Sequence, residues 1–187
     1  NHIIDASAPS AAEVVYQYYG AEEKFPGTFK GMMFAANKAD SAAFTKEDIL
    51  NPEGWELLSF LMDSRTGLGR FREFTVSNYQ LMMDLIDYCK DHDIDDILAL
   101  PDVKERVDLY FKYEVEFKEQ LQRCTTIHNN LLIIDYREEE IIYPGNRFLV
   151  YAMHPDTNIS IHTVWGREKQ NVVYSTGKSI INKSSKT

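Results

Sequence analysis

Apolar residues recur at intervals of three and four over most of the first 123 positions, and this spacing predicts helices. Helix starts are marked by capping pairs three positions apart, namely Ser10 with Glu13, Thr45 with Asp48, and Asp102 with Glu105. The predicted helices cover residues 11–19, 29–37, 55–62, 77–92 and 102–123, and a further short one begins after Thr45 and is closed by Pro52. The 55–62 helix is apolar on most of its surface, so we expect it to be buried.

After Cys124 the pattern changes and predicts strands. Two strands are expected over 125–128 and 131–136 around the turn Asn129-Asn130, and a hairpin over 159–165 and 171–177 around Gly166. A short helix is expected over 146–153, and Ile3-Ile4 is expected to end another short strand. The predicted class is α/β, with a mainly helical first domain (1–100) and a smaller α/β domain (101–187). The boundary is placed at the acidic segment 93–102, where Pro101 breaks any helix.

Composition and charge narrow the class of protein. The 187 residues are 44% hydrophobic and 26% charged, which is ordinary for a globular protein, and no apolar run is long enough to cross a bilayer. Neither cysteine has the spacing of a disulfide scaffold or zinc site, which favours a cytoplasmic protein. The start carries neither a methionine nor a signal peptide, so we expect the chain to begin inside a longer protein.

The charge is unevenly distributed. The net charge of −9 argues against general coating of nucleic acid. From Trp165 onward five basic residues face one acidic residue, a charge of +4, which leaves −13 for the other 164 residues. This basic end is a candidate for holding a small polyanion, and the alternative is an exposed tail without a function.

Asp40 is the first candidate for chemistry. It stands with Lys38 among small and apolar residues from Ala35 to Phe44, and a buried carboxylate costs several kcal/mol unless a partner compensates it. One hypothesis is a metal ligand or a catalytic carboxylate. The alternatives are an aspartate that ends the helix and faces solvent, and a structural pair with Lys38 or an arginine.

Ser175-Thr-Gly-Lys-Ser179 is the second candidate. It is not a phosphate-binding P-loop, because Val172 stands where that motif needs its first glycine. A predicted strand nevertheless ends here in hydroxyls, an amide and lysines, which could contact phosphate through Ser175, Lys178, Ser179, Asn182 and Lys183. The alternative is a solvated turn. The loop with Arg65, Arg70 and Arg72 is either a phosphate clamp or, as the acidic composition favours, a structural loop.

Four segments in order carry a family resemblance: Asp5-Ala-Ser-Ala-Pro-Ser-Ala-Ala-Glu-Val-Val-Tyr, Asn37-Lys-Ala-Asp-Ser, Gly145-Asn-Arg-Phe-Leu-Val-Tyr, and Ser175 through Lys183. Together they resemble the DHH phosphoesterases, in the exopolyphosphatase-like branch related to bacterial nano-RNases. The resemblance implies the last part of a DHH catalytic domain (1–100) followed by most of a DHH-associated substrate domain (101–187). It implies that Asp40 is one ligand of a centre of two divalent metals, usually manganese. It also implies that the residues from Ser175 to Lys183 named above, together with Arg147, bind substrate phosphate.

The departures from that family are large. The Asp-His-His motif, the two upstream aspartate motifs and the glycine-rich motif ending in histidine are absent, so we expect an internal fragment that is inactive alone. The longer protein is expected to hydrolyse phosphoanhydride or phosphodiester bonds, in polyphosphate, a short oligonucleotide or a cyclic dinucleotide. A non-catalytic nucleotide-binding module and a scaffold domain remain alternatives, and a homo-oligomer is left open.

Overall fold

The computed structural model describes residues 3–25, 27 and 29–184, and these form two compact units. The first unit comprises the chain up to Ser64 together with Gly69–Asp108, and the second comprises Arg65–Leu68 together with the chain from Leu109 onward. The division between the units falls inside a helix, C-terminal of the predicted boundary near residue 100. Naming the units as a DHH domain and a DHH-associated domain stays a prediction.

Among its described residues, the first unit contains helices and loops but no strand. Its helices are α1 (Ala11–Tyr18), α2 (Ala21–Lys24), α3 (Phe29–Asp40), α4 (Lys46–Leu50), α5 (Gly54–Met62), α6 (Asn78–Asp91), α7 (Ile94–Ala99) and the first two turns of α8 (Pro101–Lys112). The predicted starts of α1, α4 and α6 are confirmed, since the hydroxyls of Ser10, Thr45 and Ser77 each accept a backbone N–H three residues later. The predicted strand end at Ile3-Ile4 is wrong, because these residues are irregular and exposed.

The core of this unit centres on α5. As predicted, it is well buried, through Leu57, Leu58, Phe60 and Leu61. A second anchor is Arg106 of α8, which has no exposed surface and donates to the backbone oxygens of Val76 and Asp102 and to the side chain of Asn78. Its guanidinium also lies over the ring of Phe74, so the cation is enclosed by acceptors and an aromatic face.

The second unit combines two helices with a four-stranded sheet. Its elements are the end of α8, α9 (Glu114–Cys124), β1 (Thr125–His128), β2 (Leu131–Asp135), α10 (Leu149–Met153), β3 (Ile159–Trp165) and β4 (Val172–Lys178). The single helix predicted over 102–123 is wrong, because Tyr113 leaves the helical conformation and separates α8 from α9. The strands and the turn at Asn129, which has a positive φ of 56°, are as predicted.

The sheet order is β1-β2-β3-β4. Strands β1 and β2 pair antiparallel, β2 and β3 parallel, and β3 and β4 antiparallel. The parallel pair needs a crossover, which residues 136–158 supply with α10. One face of the sheet carries buried Leu132 and Ile134 of β2, and Tyr151 of α10 reaches this face by hydrogen-bonding Ser160. The predicted α/β class, a helical part followed by a small α/β part, is therefore confirmed.

Candidate functional site

Asp40 is the last residue of α3 and its side chain is exposed, so the expectation of a buried carboxylate is wrong. The helix ends through the next residues, since Ala43 N–H donates to Lys38 O at 2.9 Å and Ala42 adopts a left-handed φ of 50°. A non-glycine residue in this conformation is strained. Asp40 is thus presented on the surface beside a strained helix end.

Lys38 does not serve as the structural partner suggested for Asp40. Its ammonium lies 2.9 Å from Asp48 and 2.7 Å from Glu56, and only 14% of its side chain is exposed. Burial disfavours the ammonium, but the two carboxylates outweigh burial and raise the pKa of Lys38. The lysine therefore ties α3 to the starts of α4 and α5.

Asn37, from the same resembling segment, also has a structural role. It accepts from the Ser10 hydroxyl at 2.5 Å and donates to the Glu13 carboxylate at 2.7 Å. These bonds join the two segments in this chain, since the first supplies the capped start of α1 and the second supplies the amide that holds it. Asn37 and Lys38 are therefore held by contacts within the unit, whereas Asp40 faces solvent.

The described residues do not by themselves fit a metal centre at Asp40. Among residues 3–25, 27 and 29–184 there is no group of three histidine, cysteine, aspartate or glutamate side chains arranged to hold a metal. Two cations about 3.5–4 Å apart need several such ligands. Metal ligation by Asp40 stays a prediction.

In the second unit, strand alternation separates the residues predicted to bind phosphate. Ser175 pairs with His162 and Lys178 pairs with Ile159, so Ser175 and Lys178 point to opposite faces of the sheet. Both side chains are exposed. The structure therefore does not bring these two residues into one contact surface.

Ser179, Asn182 and Lys183 form the turn that follows β4. Ser179 is 3% exposed, and its hydroxyl accepts the backbone N–H groups of Ile181 and Asn182 at 3.2 and 3.0 Å. The side-chain amide of Asn182 donates to the backbone oxygen of Asp156 at 2.9 Å. These two side chains hold the turn in place, and Lys183 is exposed on it. Ser185 and Lys186 of the predicted basic end lie outside the described residues.

Arg147 lies in the segment before α10, and two contacts fix that segment. Gly145 sits against the ring of Phe117 so closely that a Cβ at this position would approach the ring carbons to within 2.0–2.4 Å. Fully buried Gln120 of α9 accepts the Tyr143 N–H at 3.0 Å and donates to Ile141 O at 2.7 Å. The helix α9 therefore sets where Arg147 is placed.

His162 is a residue whose role the sequence did not reveal. It is central in β3, faces Ser175 across the strand pair, and its ring lies 6.1 Å from that of Tyr136. Two register pairs further along, Ser160 shares a hydrogen bond of 2.7 Å with Tyr151, and Gly177 leaves no room for a side chain beside them. The predicted strands over 159–165 and 171–177 carried no register, so the sequence did not place His162 opposite Ser175.

The three arginines of the loop do not all belong to the same unit. Arg65 belongs to the second unit, whereas Arg70 and Arg72 belong to the first. Around Arg65 the segment is structural, because Thr66 and Leu68 are buried and Thr66 O accepts from Gly145 N–H at 3.0 Å. This supports the structural alternative for the segment 65–68.

The first unit also contains a cavity of about 770 Å³. Its lining is almost wholly apolar and includes Phe29, Met32, Trp55, Met82 and Ile86. The lining also includes Lys90, whose ammonium is already paired with Asp87 at 2.5 Å, so a phosphate would lose its hydration there with little compensation. The cavity therefore does not suit a phosphate group.

The chain matches none of the protein-family models and none of the curated proteins to which it was compared. Among solved structures it is similar to the pGpG-specific phosphodiesterase PggH from Vibrio cholerae, with 57% sequence identity and a TM-score of 0.89. The match covers 100% of this chain and 63% of the phosphodiesterase, so the chain spans less than two thirds of that protein. No helix among the described residues is long and apolar enough to cross a membrane.

The comparison bears on both units, because it covers the whole chain. It supports the phosphoesterase resemblance given by the sequence segments. The exopolyphosphatase-like branch, manganese, the cytoplasmic location and a homo-oligomer stay predictions.

Proposed function

We propose that this chain is part of a phosphodiesterase that hydrolyses a short linear guanine dinucleotide of the pGpG class. The observation that carries the proposal is the 57% identity, over the full chain, to a phosphodiesterase specific for pGpG. Such a substrate has one internal phosphodiester and one terminal phosphate monoester. Water would add to the internal phosphorus as the bond to the 3′ oxygen breaks, giving two molecules of GMP.

The two units would divide this work. In the second unit, Arg147 supplies a guanidinium, and Ser175 a hydroxyl, on a scaffold set by α9 and the sheet. Lys178, Ser179, Asn182 and Lys183 remain proposed substrate contacts. For Ser179 and Asn182 the bonds that hold the turn favour an indirect role, in which they place backbone groups and Lys183.

Asp40 is proposed as one ligand of a divalent metal centre, with manganese as the expected ion and the remaining ligands supplied from outside the described residues. Its support is the resembling segment and its exposed place at the end of α3. A metal in such a centre neutralises charge on phosphoryl oxygens. The chain Asn1–Thr187 alone is then expected to lack hydrolytic activity.

The test of this role is steady-state hydrolysis by the longer protein that contains the chain, with Asp40→Asn compared with Asp91→Asn. Asp91 is a matched control, because it is likewise the exposed last residue of a helix. We expect Asp40→Asn to lower kcat/KM by more than about 100-fold and Asp91→Asn to change it by less than about twofold. Activity of Asp40→Asn within about threefold of wild type would show that Asp40 is not a ligand.

A polyphosphate substrate and a non-catalytic binding module are the competing functions. Phosphate release from polyphosphate that exceeds GMP release from pGpG would favour the first. Salt-sensitive binding of short RNA without hydrolysis by the longer protein, lost on changing Lys178 and Lys183, would favour the second.

A further inference from the structure

His162 lies among polar groups that three other elements contribute. Strand β2 leads into Tyr136, whose ring contacts the imidazole, and β4 contributes Ser175 directly across the strand pair. Tyr151 of α10 hydrogen-bonds Ser160, which lies on the same sheet face as His162, and the positive charge of Arg147, before α10, opposes protonation of His162. No carboxylate is among the described groups that act on the imidazole.

This environment keeps the imidazole neutral. His162 is largely but not wholly enclosed, and its burial together with the positive charge of Arg147 lowers its pKa below the ordinary value. A neutral imidazole next to the Ser175 hydroxyl can donate to an anion without adding a second fixed cation to the charge of Arg147. On the same sheet face, Gly177 lies against Ser160 and Tyr151, where an added Cβ would come within 2.9 Å of Ser160 Oγ and Tyr151 OH.

We propose that His162, Arg147 and Ser175 form a binding site for a phosphate monoester, and that His162 takes up a proton when the phosphate binds. The inference rests on the proposed function, in which the terminal phosphate of the dinucleotide, or that of the product GMP, is the group bound. A monoester fits better than an internal diester because it carries more charge and three terminal oxygens, enough for one partner from each of the three residues.

The proton uptake follows from the charges. In the free protein Arg147 opposes a second positive charge on His162. A bound phosphate dianion offsets the guanidinium and accepts a hydrogen bond from the imidazolium, and both effects favour the protonated ring. His162 would therefore respond to the charge of the ligand. Below neutral pH, the protein with His162 would bind the phosphate more tightly than a variant that lacks this histidine.

The experiment is a pH titration of the histidine ring signals of the full chain by NMR, with and without saturating GMP. Comparison with His162→Gln and His128→Gln identifies the two signals. His128 is the control because it is exposed on β1 and pairs with Leu131. We expect GMP to raise the pKa of His162 by about one unit and to leave the ring signals of His128 where they are without GMP at each pH.

Binding of GMP to the two variants gives an independent measurement. Protonation of the GMP phosphate affects both variants equally, so the difference in their affinity for GMP isolates the contribution of His162. At pH 6.5 we expect His162→Gln to bind GMP about two- to threefold more weakly than His128→Gln, with the gap closing by pH 8. Equal binding of the two variants at pH 6.5, or an unchanged His162 pKa in saturating GMP, would overturn the inference.

The inference and the proposed function fail separately. If the longer protein hydrolyses pGpG while the pKa of His162 does not respond to GMP, the inference is wrong and the function stands. If His162 takes up its proton with GMP while pGpG is not hydrolysed, the phosphate site stands and the function is wrong.

Discussion

Glu139 is the residue whose replacement should most directly loosen the segment that leads to Arg147. Its carboxylate accepts from Arg123 at 3.0 and 2.5 Å and from Gln120 at 2.5 Å, and Cys124 Sγ lies 3.4 Å away. The hydrogen bonds from Arg123 and Gln120 lower the pKa of Glu139 to about 2 from an ordinary 4.5. In Glu139→Gln the amide would place an N–H group against these donors and the charge would be lost.

The magnitude follows from the pKa difference. A lowering of about 2.5 units corresponds to at most about 3.4 kcal/mol of folding free energy. The side chains of Glu139 and Arg123 are 17% and 49% exposed, and solvent screening at such exposure reduces the expected loss to about 1–2 kcal/mol. Because the folded pKa is the lower one, this stability is present above about pH 4.5 and is lost as the pH falls towards about 2.

Urea unfolding of the wild type, Glu139→Gln and Glu140→Gln at pH 7 and at several values down to pH 3 measures this effect. Glu140 is the matched control, because it is the next residue and is exposed. We expect Glu139→Gln to be about 1–2 kcal/mol less stable than the control at pH 7, with the gap narrowing below pH 4.5. Equal stabilities at pH 7, or a gap that stays constant with pH, would refute the reasoning.

Three further predictions concern stability and reactivity. Arg106→Met should lower the free energy of unfolding by about 3–5 kcal/mol, because it leaves unpaired the partly buried acceptors that fully buried Arg106 holds. The control Lys104→Met, which removes an exposed ion pair, should cost under about 0.5 kcal/mol by urea titration. Ala42→Gly should relieve the left-handed backbone and raise the free energy of unfolding by about 0.5–1 kcal/mol, and a loss of stability would contradict the strain argument. Burial and the Glu139 carboxylate raise the pKa of Cys124 to about 11, so iodoacetamide at pH 8 should alkylate this thiol at least about tenfold more slowly than free cysteine. Mass spectrometry follows the reaction, and an equal rate would contradict the raised pKa of Cys124.

Local features were the most predictable from the sequence. A cap depends on two residues three positions apart, so the starts at Ser10 and Thr45 could be placed without knowledge of the fold. The third predicted pair, Asp102 with Glu105, was wrong as a cap, because α8 begins at Pro101 and Asp102 lies within its first turn. The hairpins at Asn129 and Gly166 are equally local. The break at Tyr113 was missed because the apolar stripe continues across it, and periodicity does not register one residue that leaves the helix.

The candidate site depended on contacts that the sequence does not display. The apolar segment 35–44 suggested that Asp40 is buried. The buried residues of this segment are Ala35 and Phe44, whereas Asp40 lies at the exposed end of α3. The carboxylates that hold Lys38 come from other helices, 10 and 18 positions away. Strand alternation already implied that Ser175 and Lys178 face apart, yet their closeness in sequence suggested one cluster.

The account's central claim is that this chain belongs to a protein that cleaves pGpG. The most direct measurement is chromatographic quantification of GMP formed from pGpG by the longer protein that contains the chain, with polyphosphate assayed in parallel. The account predicts complete conversion of pGpG to GMP, with far slower phosphate release from polyphosphate. Intact pGpG after prolonged incubation with added manganese would contradict the claim.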